Sequence, residues 1–291
     1  MARKALCVGI NEFESLPPTS WLNGCVNDAN DVAAALRKLG FAARDTTVLT
    51  DAGATKRAVM TALEGLVASA KAGDHLVFTF SSHGTQVPNE PGGDREPDDL
   101  DEAFACYDIR QQGDQWDRDT VIVDDELRDL FATVPGGVLL EVLLDTCHSG
   151  TGLKDLDEIM QAQLLGRRPR FLPPPTRAGL EQARSLRAVA PVRTVDRKAL
   201  VELTRSRTTA SKPVLFAACR PDQTASDATF DGRSNGAFTH LFLEALRADP
   251  TASRTELLKA VTAGLKEGDF SQRSTLEGPV KSKKVGFGQP W

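Results

Sequence analysis

Five short apolar runs, each ending in turn or polar residues, place the strongest constraint on how this chain folds. These runs are Lys4–Ile10, Thr46–Leu49, Leu76–Phe80, Val138–Leu144 and Val214–Ala218. Their length and their branched and aromatic residues are typical of strands that are buried on both faces of a sheet. Apolar residues at helical spacing occur over Asn27–Leu39, Thr55–Ala70, Gly236–Leu246 and Arg254–Leu265. Strands that alternate with helices predict an α/β fold with a mostly parallel sheet, to which Lys284–Gly288 is expected to add a sixth strand.

The size and composition of the chain are those of an ordinary globular protein. With 291 residues, of which 41% are hydrophobic, the chain can bury a core without a disulfide or a metal staple. No apolar run reaches the roughly 18 to 20 residues that a membrane span requires, and the first residues lack the pattern of a signal peptide. We therefore expect a cytoplasmic protein that does not bind membranes.

The five cysteines are an odd number at irregular spacing, without a CxxC pair. This pattern argues against both a disulfide framework and a zinc ribbon. At least one thiol is therefore a candidate for reactivity, and the others are candidates for the core. The cysteines are Cys7, Cys25, Cys106, Cys147 and Cys219.

The formal net charge of −5 conceals two segments of opposite sign. Residues 90–129 carry fifteen acidic and four basic side chains, whereas residues 151–212 carry thirteen basic and six acidic ones. A basic segment can bind nucleic acid, but this one has no nucleic-acid-binding motif and almost no aromatic residues, so we expect no nucleic-acid partner. Its prolines and scattered arginines favour a solvated linker, here called the basic linker (residues 153–212), that crosses the surface between two parts of one sheet.

The third and fourth apolar runs end in reactive side chains. Ser81-Ser82-His83-Gly84 follows the third run, and Asp145-Thr146-Cys147 follows the fourth. Active sites of open α/β sheets lie outside the carboxyl ends of the strands, so neighbouring strands would bring His83 and Cys147 to one crevice. An imidazole beside a thiol raises its reactivity by taking its proton or by stabilising the thiolate, and Gly84 and Gly150 would let backbone N–H groups approach a carbonyl oxygen. A buried structural cysteine or a loop histidine explains either residue alone, but not the pair at two strand ends.

The residues around this pair resemble two sequence boxes of a known family. Ser81–Gln86 and Asp145–Gly150 are similar to the His box and the Cys box of the caspase-like cysteine peptidases, in the metacaspase and prokaryotic orthocaspase branch. Five further segments are similar to that family and follow in the same order. They are Ala5–Asn11, Leu22–Asp28, Ile122–Glu126, Phe216–Arg220 and Gly236–His240. The resemblance covers most of the chain except the basic linker.

The resemblance implies the caspase-hemoglobinase fold, an α/β fold with one six-stranded, mostly parallel sheet flanked by helices. It divides the chain into a large-subunit-like catalytic region (1–152), the basic linker and a small-subunit-like region (213–291) of the same sheet. It also implies a cysteine endopeptidase in which Cys147 attacks the scissile carbonyl and His83 is the base. The N–H groups of Gly84 and Cys147 would then bind the oxyanion. The alternative is a catalytically silent scaffold or adaptor with the same fold.

The resemblance further implies cleavage after Arg or Lys instead of after Asp. Asp28 and Asp145 match the acidic pocket residues of such relatives, and Cys25 and Ser81 match the pocket wall. A carboxylate beside an incoming guanidinium forms charge-assisted hydrogen bonds, which discriminate against other side chains. For Asp28 a second explanation holds at the same time, since the helix dipole favours an acid in the first turn of a helix.

The resemblance leaves open whether the protein needs calcium, because many members of the family need it and several prokaryotic ones do not. The resemblance gives Asp98, Asp124, Asp125 and Asp155 as the ligands. Carboxylates suit a hard cation, and clustered acids repel one another without one. Asp124 and Asp125 are also explained as the charged start of a helix over Glu126–Phe131. The chemistry at the thiol requires no cofactor, so calcium would act as an activator.

Peptidases of this family often mature by cleavage after the catalytic cysteine, which makes the basic linker a candidate substrate of the protein itself or of an upstream protease. The candidate cleavage sites are Arg167, Arg168, Arg170, Arg177, Arg184, Arg187, Arg193, Arg197, Arg205 and Arg207. A flexible, exposed segment is a good protease substrate, although an uncleaved solvated loop is the alternative. Proteins with exposed Arg or Lys are the expected partners, and the chain is expected to be a monomer.

Overall fold

The structure, a computed structural model, describes residues 1–89, 100–147, 166–189, 213–220 and 223–290. The strands of these parts are β1 (Arg3–Gly9), β2 (Thr46–Thr50), β3 (His75–Ser81), β4 (Gly84–Pro88), β5 (Leu100–Ala105), β6 (Gln111–Gln112), β7 (Gln115–Trp116), β8 (Val121–Val123), β9 (Leu139–Asp145), β10 (Arg168–Pro169), β11 (Val214–Ala217), β12 (Ser226–Phe230), β13 (Arg233–Gly236) and β14 (Thr275–Glu277). The α-helices are α1 (Cys25–Lys38), α2 (Lys56–Ala68), α3 (Asp124–Ala132), α4 (Arg177–Val189), α5 (Ala237–Ala248) and α6 (Arg254–Glu267).

Six strands form the central sheet, in the order β14-β11-β9-β3-β1-β2. All pairs in it are parallel except β11 with β14, which is antiparallel and lies at one edge. Because β9 pairs with β11, strands from both sides of the basic linker lie next to each other in one sheet. The predicted α/β fold with a six-stranded, mostly parallel sheet is confirmed. Smaller sheets, β10-β12-β13 and β4-β5-β8, lie outside it.

Five of the predicted strands are confirmed to within one residue at each end, but the sixth is wrong. Lys284–Gly288 was expected to be a strand, whereas Ser282–Lys284 forms a 3-10 turn and the edge strand is Thr275–Glu277. That strand has three residues, and only Leu276 among them is buried, so no apolar run marks it. The apolar Phe287, which suggested the strand, instead packs into the core from an irregular segment.

Successive side chains of the central strands enter two separate apolar cores, one on each face of the sheet. On β3, Phe78 and Phe80 pack in the core that includes residues of α2 and α3, whereas Val77 packs in the core that includes α1, α5 and α6. This alternation is the period of two that a strand imposes, and it explains why a strand covered on both faces reads as a continuous apolar run. No helix in the parts of the chain that the structure describes is long and apolar enough to cross a membrane.

A buried carboxylate on β9 ties the end of the chain to the sheet. Glu141 Oε2 lies 2.6 Å from His75 Nε2 and accepts a hydrogen bond from the Gly288 N–H at 2.8 Å, while Oε1 accepts one from Arg254 Nε at 2.6 Å. Arg254 is fully buried and also donates to the Ser282 carbonyl at 2.9 Å. Burial by itself raises the pKa of Glu141, but His75 and Arg254 outweigh it and hold the pKa below its ordinary value.

Replacing Arg254 with methionine keeps most of the side-chain volume but leaves the buried Glu141 without its guanidinium partner. Because breaking one side of a buried ion pair leaves an uncompensated charge, we expect Arg254→Met to lower the free energy of unfolding by about 3–5 kcal/mol. Urea denaturation followed by circular dichroism measures the change. Lys259→Ala, at an exposed position of the same helix, is the control and should cost under about 0.5 kcal/mol. A comparable loss in both variants would contradict the role of the buried pair.

Candidate active site

His83 and Cys147 lie two residues beyond the ends of the neighbouring strands β3 and β9. Ser81 pairs with Asp145 in the parallel ladder of these strands, so both chains leave the sheet side by side at its carboxyl edge. Both side chains are buried, with His83 4% exposed and Cys147 fully covered. The order of the strands thus brings the two residues to the same edge of the sheet, where active sites of open α/β sheets lie.

The ring of His83 is held in one tautomer. Its Nε2 lies 2.7 Å from the Ser20 carbonyl oxygen, which can only accept, so Nε2 carries the proton. Nδ1 is buried and has no hydrogen-bond partner among the described residues. Burial lowers the pKa of His83 to about 4; the hydrogen bond to Ser20 opposes this, and the charges of Arg170 and Arg168 add to it. The imidazole is therefore neutral at pH 7, with a lone pair on Nδ1.

The thiol of Cys147 has polar surroundings within an otherwise apolar core. Its Sγ donates a hydrogen bond to the Gln223 carbonyl at 2.7 Å. The thiol of Cys219 lies beside it, and this contact, together with burial, raises the pKa of Cys219 well above its ordinary value. All five cysteines are buried and unbridged.

Two backbone N–H groups converge on one carbonyl oxygen next to Cys147. The Gly84 N–H donates to the Arg170 carbonyl at 2.9 Å, and the Cys147 N–H donates to the same oxygen at 3.2 Å. These are the two groups that the sequence resemblance gave as oxyanion donors. A pair of N–H groups with a common acceptor is the arrangement that stabilises a carbonyl oxygen when it gains negative charge.

The side chain of Arg170 is fully buried among three carboxylates, here called the acidic pocket (Asp28, Asp145 and Asp227). Its Nη2 lies 2.6 Å from Asp28 Oδ2 and 3.1 Å from Asp227 Oδ1. Its Nη1 lies 3.1 Å from Asp145 Oδ1 and donates to the Asp145 carbonyl at 3.0 Å. The guanidinium thus contacts acids from α1, β9 and β12, and a compact cation would not reach all of them.

Asp28 is held in place by neutral donors as well as by Arg170. Its Oδ1 accepts hydrogen bonds from Asn235 Nδ2 at 2.9 Å and from the Gly236 N–H at 3.0 Å. Burial raises the pKa of Asp28 to about 7, the charge of Asp145 adds to the rise, and Arg170 opposes it. Asp28 also lies in the first turn of α1, so the helix explanation and the pocket contact hold together.

The other two pocket acids are fixed by backbone and hydroxyl donors. Asp145 Oδ2 accepts hydrogen bonds from the Thr239 N–H at 3.0 Å and from Thr239 Oγ1 at 2.6 Å. Asp227 Oδ2 accepts one from the Asn23 N–H at 2.7 Å. Gly236 leaves room for them, because a Cβ there would lie 2.2 Å from Asp145 Oδ2. Each of the three carboxylates is therefore held in place by donors other than Arg170 as well.

Cys25 and Ser81, expected on the pocket wall, are both buried near these acids. Cys25 is the first residue of α1, and the charges of all three pocket acids and of Arg170 act on its thiol, whose pKa burial raises well above its ordinary value. Ser81 ends β3 and lies beside Asp145 in the ladder.

Two of the four expected calcium ligands, Asp98 and Asp155, lie outside the described residues. Asp124 begins α3 and is buried, and its Oδ1 has no hydrogen-bond partner in the part of the chain that the structure describes. Burial raises the pKa of Asp124 to about 7, and the charges of Asp125 and Asp101 add to the rise. Asp125 lies 2.6 Å from Arg128. Among the described residues, no group of three or more metal-binding side chains occurs.

The described part of the basic linker differs from the expected surface crossing. Residues 168–172 enter the crevice, where Arg170, Phe171 and Leu172 are buried, because β10 pairs antiparallel with β12. Of the other candidate cleavage sites, Arg167 donates to backbone carbonyls and Arg168 is exposed with a hydrogen bond to the Trp21 carbonyl. Three candidates lie in α4 and four outside the described residues. The former are Arg177, Arg184 and Arg187, and the latter are Arg193, Arg197, Arg205 and Arg207.

Sequence reasoning missed two functional positions. Asp227 lies on β12, a short strand in which only Ala228 and Phe230 are apolar, and this strand is held by its pairing with β10 and β13. Ser20 contributes only its carbonyl, which no side-chain pattern marks. The signal that could have distinguished Arg170 is the pair of large apolar residues, Phe171-Leu172, directly after it.

An open α/β sheet with a cysteine and a histidine beyond two adjacent strand ends, and with paired N–H donors beside the thiol, defines a protein of the caspase-like class. Residues 3–156 match the family described as "Metacaspase, peptidase C14 domain". The chain belongs to this metacaspase family of cysteine peptidases.

Curated relatives and solved structures agree with this assignment. Metacaspase-1A of Aspergillus niger is 31% identical over 294 residues, which cover 94% of this chain and 69% of that protein. Metacaspase-1 of Cryptococcus neoformans is 30% identical over 295 residues, and the match covers 94% of this chain and 62% of the length of that relative. The chain therefore spans about three fifths of the length of the Cryptococcus protein.

Two solved structures share the fold at low sequence identity. A protein from Geobacter sulfurreducens superposes with a TM-score of 0.64 at 23% identity, covering 98% of this chain and 97% of that chain. Caspase-1 from Spodoptera frugiperda superposes with a TM-score of 0.55 at 12% identity, covering 95% of this chain and 86% of that chain. These likenesses establish the caspase fold.

Proposed function

We propose that this chain is a cysteine endopeptidase that cleaves proteins after arginine. The observation that carries the proposal is the placement of Arg170. Its carbonyl oxygen receives the N–H groups of Gly84 and Cys147, while its guanidinium fills the acidic pocket. A substrate with arginine before the cut would need these same two contacts at once. Residues 168–172 of the chain thus occupy the crevice in the manner of a bound substrate.

In the proposed chemistry, Nδ1 of His83, which has no partner among the described residues, is the proton acceptor. The Cys147 thiol leaves the Gln223 carbonyl and gives its proton to this nitrogen, and the sulfur forms a bond to the carbonyl carbon of the arginine. The oxygen gains negative charge between the N–H groups of Gly84 and Cys147. The C–N bond breaks as the proton on Nδ1 passes to the leaving amine. Water then attacks the thioester, His83 accepts its proton, and the thiol and a free carboxylate are restored.

The acidic pocket favours arginine over lysine. The two terminal nitrogens of Arg170 contact different acids, whereas the single ammonium of a lysine is shorter in reach and cannot bridge them. An aspartate before the cut would add a fourth negative charge to a buried cluster of three. We therefore expect substrates to be proteins that expose an arginine in an extended segment, with lysine second and aspartate rejected.

Peptides that carry arginine, lysine or aspartate before a fluorogenic amide test this proposal. We expect turnover in the order arginine, lysine, aspartate, and none in Cys147→Ala or His83→Ala. Asp227→Asn removes one charge from the pocket without changing its shape, so kcat/KM for the arginine substrate should fall by about 10- to 100-fold. Asp129→Asn, at an exposed acid of α3, is the control. Wild-type protein that neither cuts itself nor turns over any of the substrates would favour the scaffold alternative.

We propose further that the chain matures by cutting its own Arg170–Phe171 bond. Residues 168–169 lie as a strand against β12, the extended form that a protease cleft requires, whereas the arginines of α4 are helical. The cut would free the acidic pocket for other substrates. Because the bond already lies in the crevice, an upstream protease is not needed for this step.

Purified protein that is followed over time by gel and mass spectrometry reports this cut. We expect fragments that end at Arg170 and begin at Phe171, because only this arginine contacts the acidic pocket among the described residues. Arg170→Ala and Cys147→Ala should stay intact, and Arg170→Lys should be cut more slowly. Arg168→Ala is the matched control, two residues away and exposed, and should be cut normally. A dominant cut at another arginine would contradict the assignment.

A calcium ion beside Asp124 is a separate proposal. The buried Oδ1 of Asp124 lacks a partner among the described residues, and its raised pKa means that a negative charge is disfavoured there. Bound calcium would supply the missing positive charge. The residues that would hold the ion are Asp98, Asp124, Asp125 and Asp155. Their carboxylate oxygens are suitable donors for calcium.

Thermal unfolding with and without calcium tests the ion at Asp124. The folded-state pKa of Asp124 lies above the ordinary value of 3.8, so the unfolded chain loses this proton first. This contribution to stability is therefore lost as the pH rises from about 4 to about 7. Asp124→Asn should remove this pH dependence. Without calcium, the Tm of Asp124→Asn minus the Tm of wild type should therefore be larger at pH 8 than at pH 5. Calcium should raise the wild-type Tm at pH 8 but not that of Asp124→Asn. Equal calcium shifts in both would contradict the site, and Asp129→Asn is the control.

A further inference from the structure

The residues that come after Arg170 are held as closely as Arg170 itself. Phe171 and Leu172 are only 8% and 6% exposed. The Leu172 N–H donates to the Gly84 carbonyl at 2.9 Å, and Phe171 forms a parallel bridge with Gly84. The Gly84 N–H thus donates to Arg170, the residue before the bond proposed for cleavage. The Gly84 C=O accepts from Leu172, the second residue after that bond.

Two side chains extend this contact beyond Leu172. Thr85 Oγ1 donates to the Leu172 carbonyl at 2.7 Å, and Trp116 Nε1 donates to the Pro173 carbonyl at 3.0 Å. Thr85 lies on β4 and Trp116 on β7, outside the acidic pocket. Both donate to main-chain carbonyls, which every polypeptide presents whatever its sequence.

The side chains after Arg170 have apolar surroundings. Phe171 belongs to the apolar core that contains Cys147, and Leu172 belongs to the core on the other face, which contains Val87 and Trp116. A charged side chain in either position would lose its hydration on entering these apolar surroundings. The two positions therefore favour apolar residues.

We propose that the protein carries a leaving-side surface, formed by the Gly84 carbonyl, Thr85 Oγ1 and Trp116 Nε1, which binds the polypeptide after the cut. Its substrates are extended chains with apolar residues in the first two positions after arginine. The inference rests on the proposed function, because it takes arginine as the residue before the cut. Amides of arginine with a small fluorophore bypass this surface, whereas internally quenched peptides engage it.

The first test compares peptides that differ only after the arginine. Internally quenched peptides with Phe-Leu, Gly-Gly or Asp-Asp in these positions are given to the self-cleaved protein. We expect kcat/KM to be highest for Phe-Leu and at least about tenfold lower for Asp-Asp, because burying two unpaired charges is costly. Equal rates on the three peptides would overturn the apolar preference.

The second test isolates the hydrogen bonds of the leaving-side surface. After self-cleavage the new terminus at Phe171 competes for this surface, so every variant also carries Phe171→Ser and Leu172→Ser to weaken that competitor. For each variant, we measure kcat/KM for the Phe-Leu peptide and divide it by kcat/KM for the arginine fluorophore amide. We expect Thr85→Val and Trp116→Phe each to lower this ratio by about three- to tenfold, as loss of one hydrogen bond does. Thr85→Ser keeps the hydroxyl and should preserve the ratio.

The outcomes separate the surface from the activity that it serves. A ratio that stays constant in Thr85→Val and in Trp116→Phe, with the arginine amide still turned over, would overturn the leaving-side surface and leave the peptidase proposal standing. Absence of both self-cleavage and turnover of the arginine amide would overturn the peptidase proposal first.

Discussion

The contact between Arg170 and three buried carboxylates is the interaction on which the crevice depends. Asp28, Asp145 and Asp227 come from a helix, from the central sheet and from a small outer sheet, and one guanidinium joins them. Burying three acids together is costly without a cation, because like charges repel and lose their hydration. Even with Arg170 present, the pKa of Asp28 is raised to about 7. A positive charge in the acidic pocket therefore stabilises it strongly.

On the proposed function, selectivity and self-inhibition would be two results of one arrangement. Any arginine that enters with its carbonyl between Gly84 and Cys147 satisfies the acids, and in the intact chain residue 170 does so. The Arg170 carbonyl also accepts the N–H groups of Gly84 and Cys147, which would be costly to bury without an acceptor. The positive charge of the basic linker, which looked like a solvated feature of composition, supplies at one position the cation that the acidic pocket lacks.

The sequence predicted the parts of this arrangement that depend on local pattern and on recognisable boxes. The strands β3 and β9 are long apolar runs, so their ends, and with them His83 and Cys147, could be located before the structure. Asp227 could not, because β12 is a short strand whose position is set by its partners. The edge strand Thr275–Glu277 was missed for the same reason. Arg170 was one of ten arginines in the basic linker that were candidate cleavage sites. Only the tertiary fold shows which of those within the described residues reaches the acidic pocket.

On the proposed function, the two sides of the crevice would recognise a polypeptide by different physical means, and this difference would set the order in which the products leave. On the side before the cut bond, an ionic pocket would bind one side chain, whereas on the side after it hydrogen bonds to Gly84, Thr85 and Trp116 would hold the main chain. Hydrolysis at Arg170 would create a carboxylate beside two N–H donors and an ammonium on Phe171 in apolar surroundings. The carboxylate would keep the two N–H donors, whereas the ammonium would lose hydration in its apolar surroundings. The leaving side would therefore open to solvent first, and the arginine side would empty more slowly.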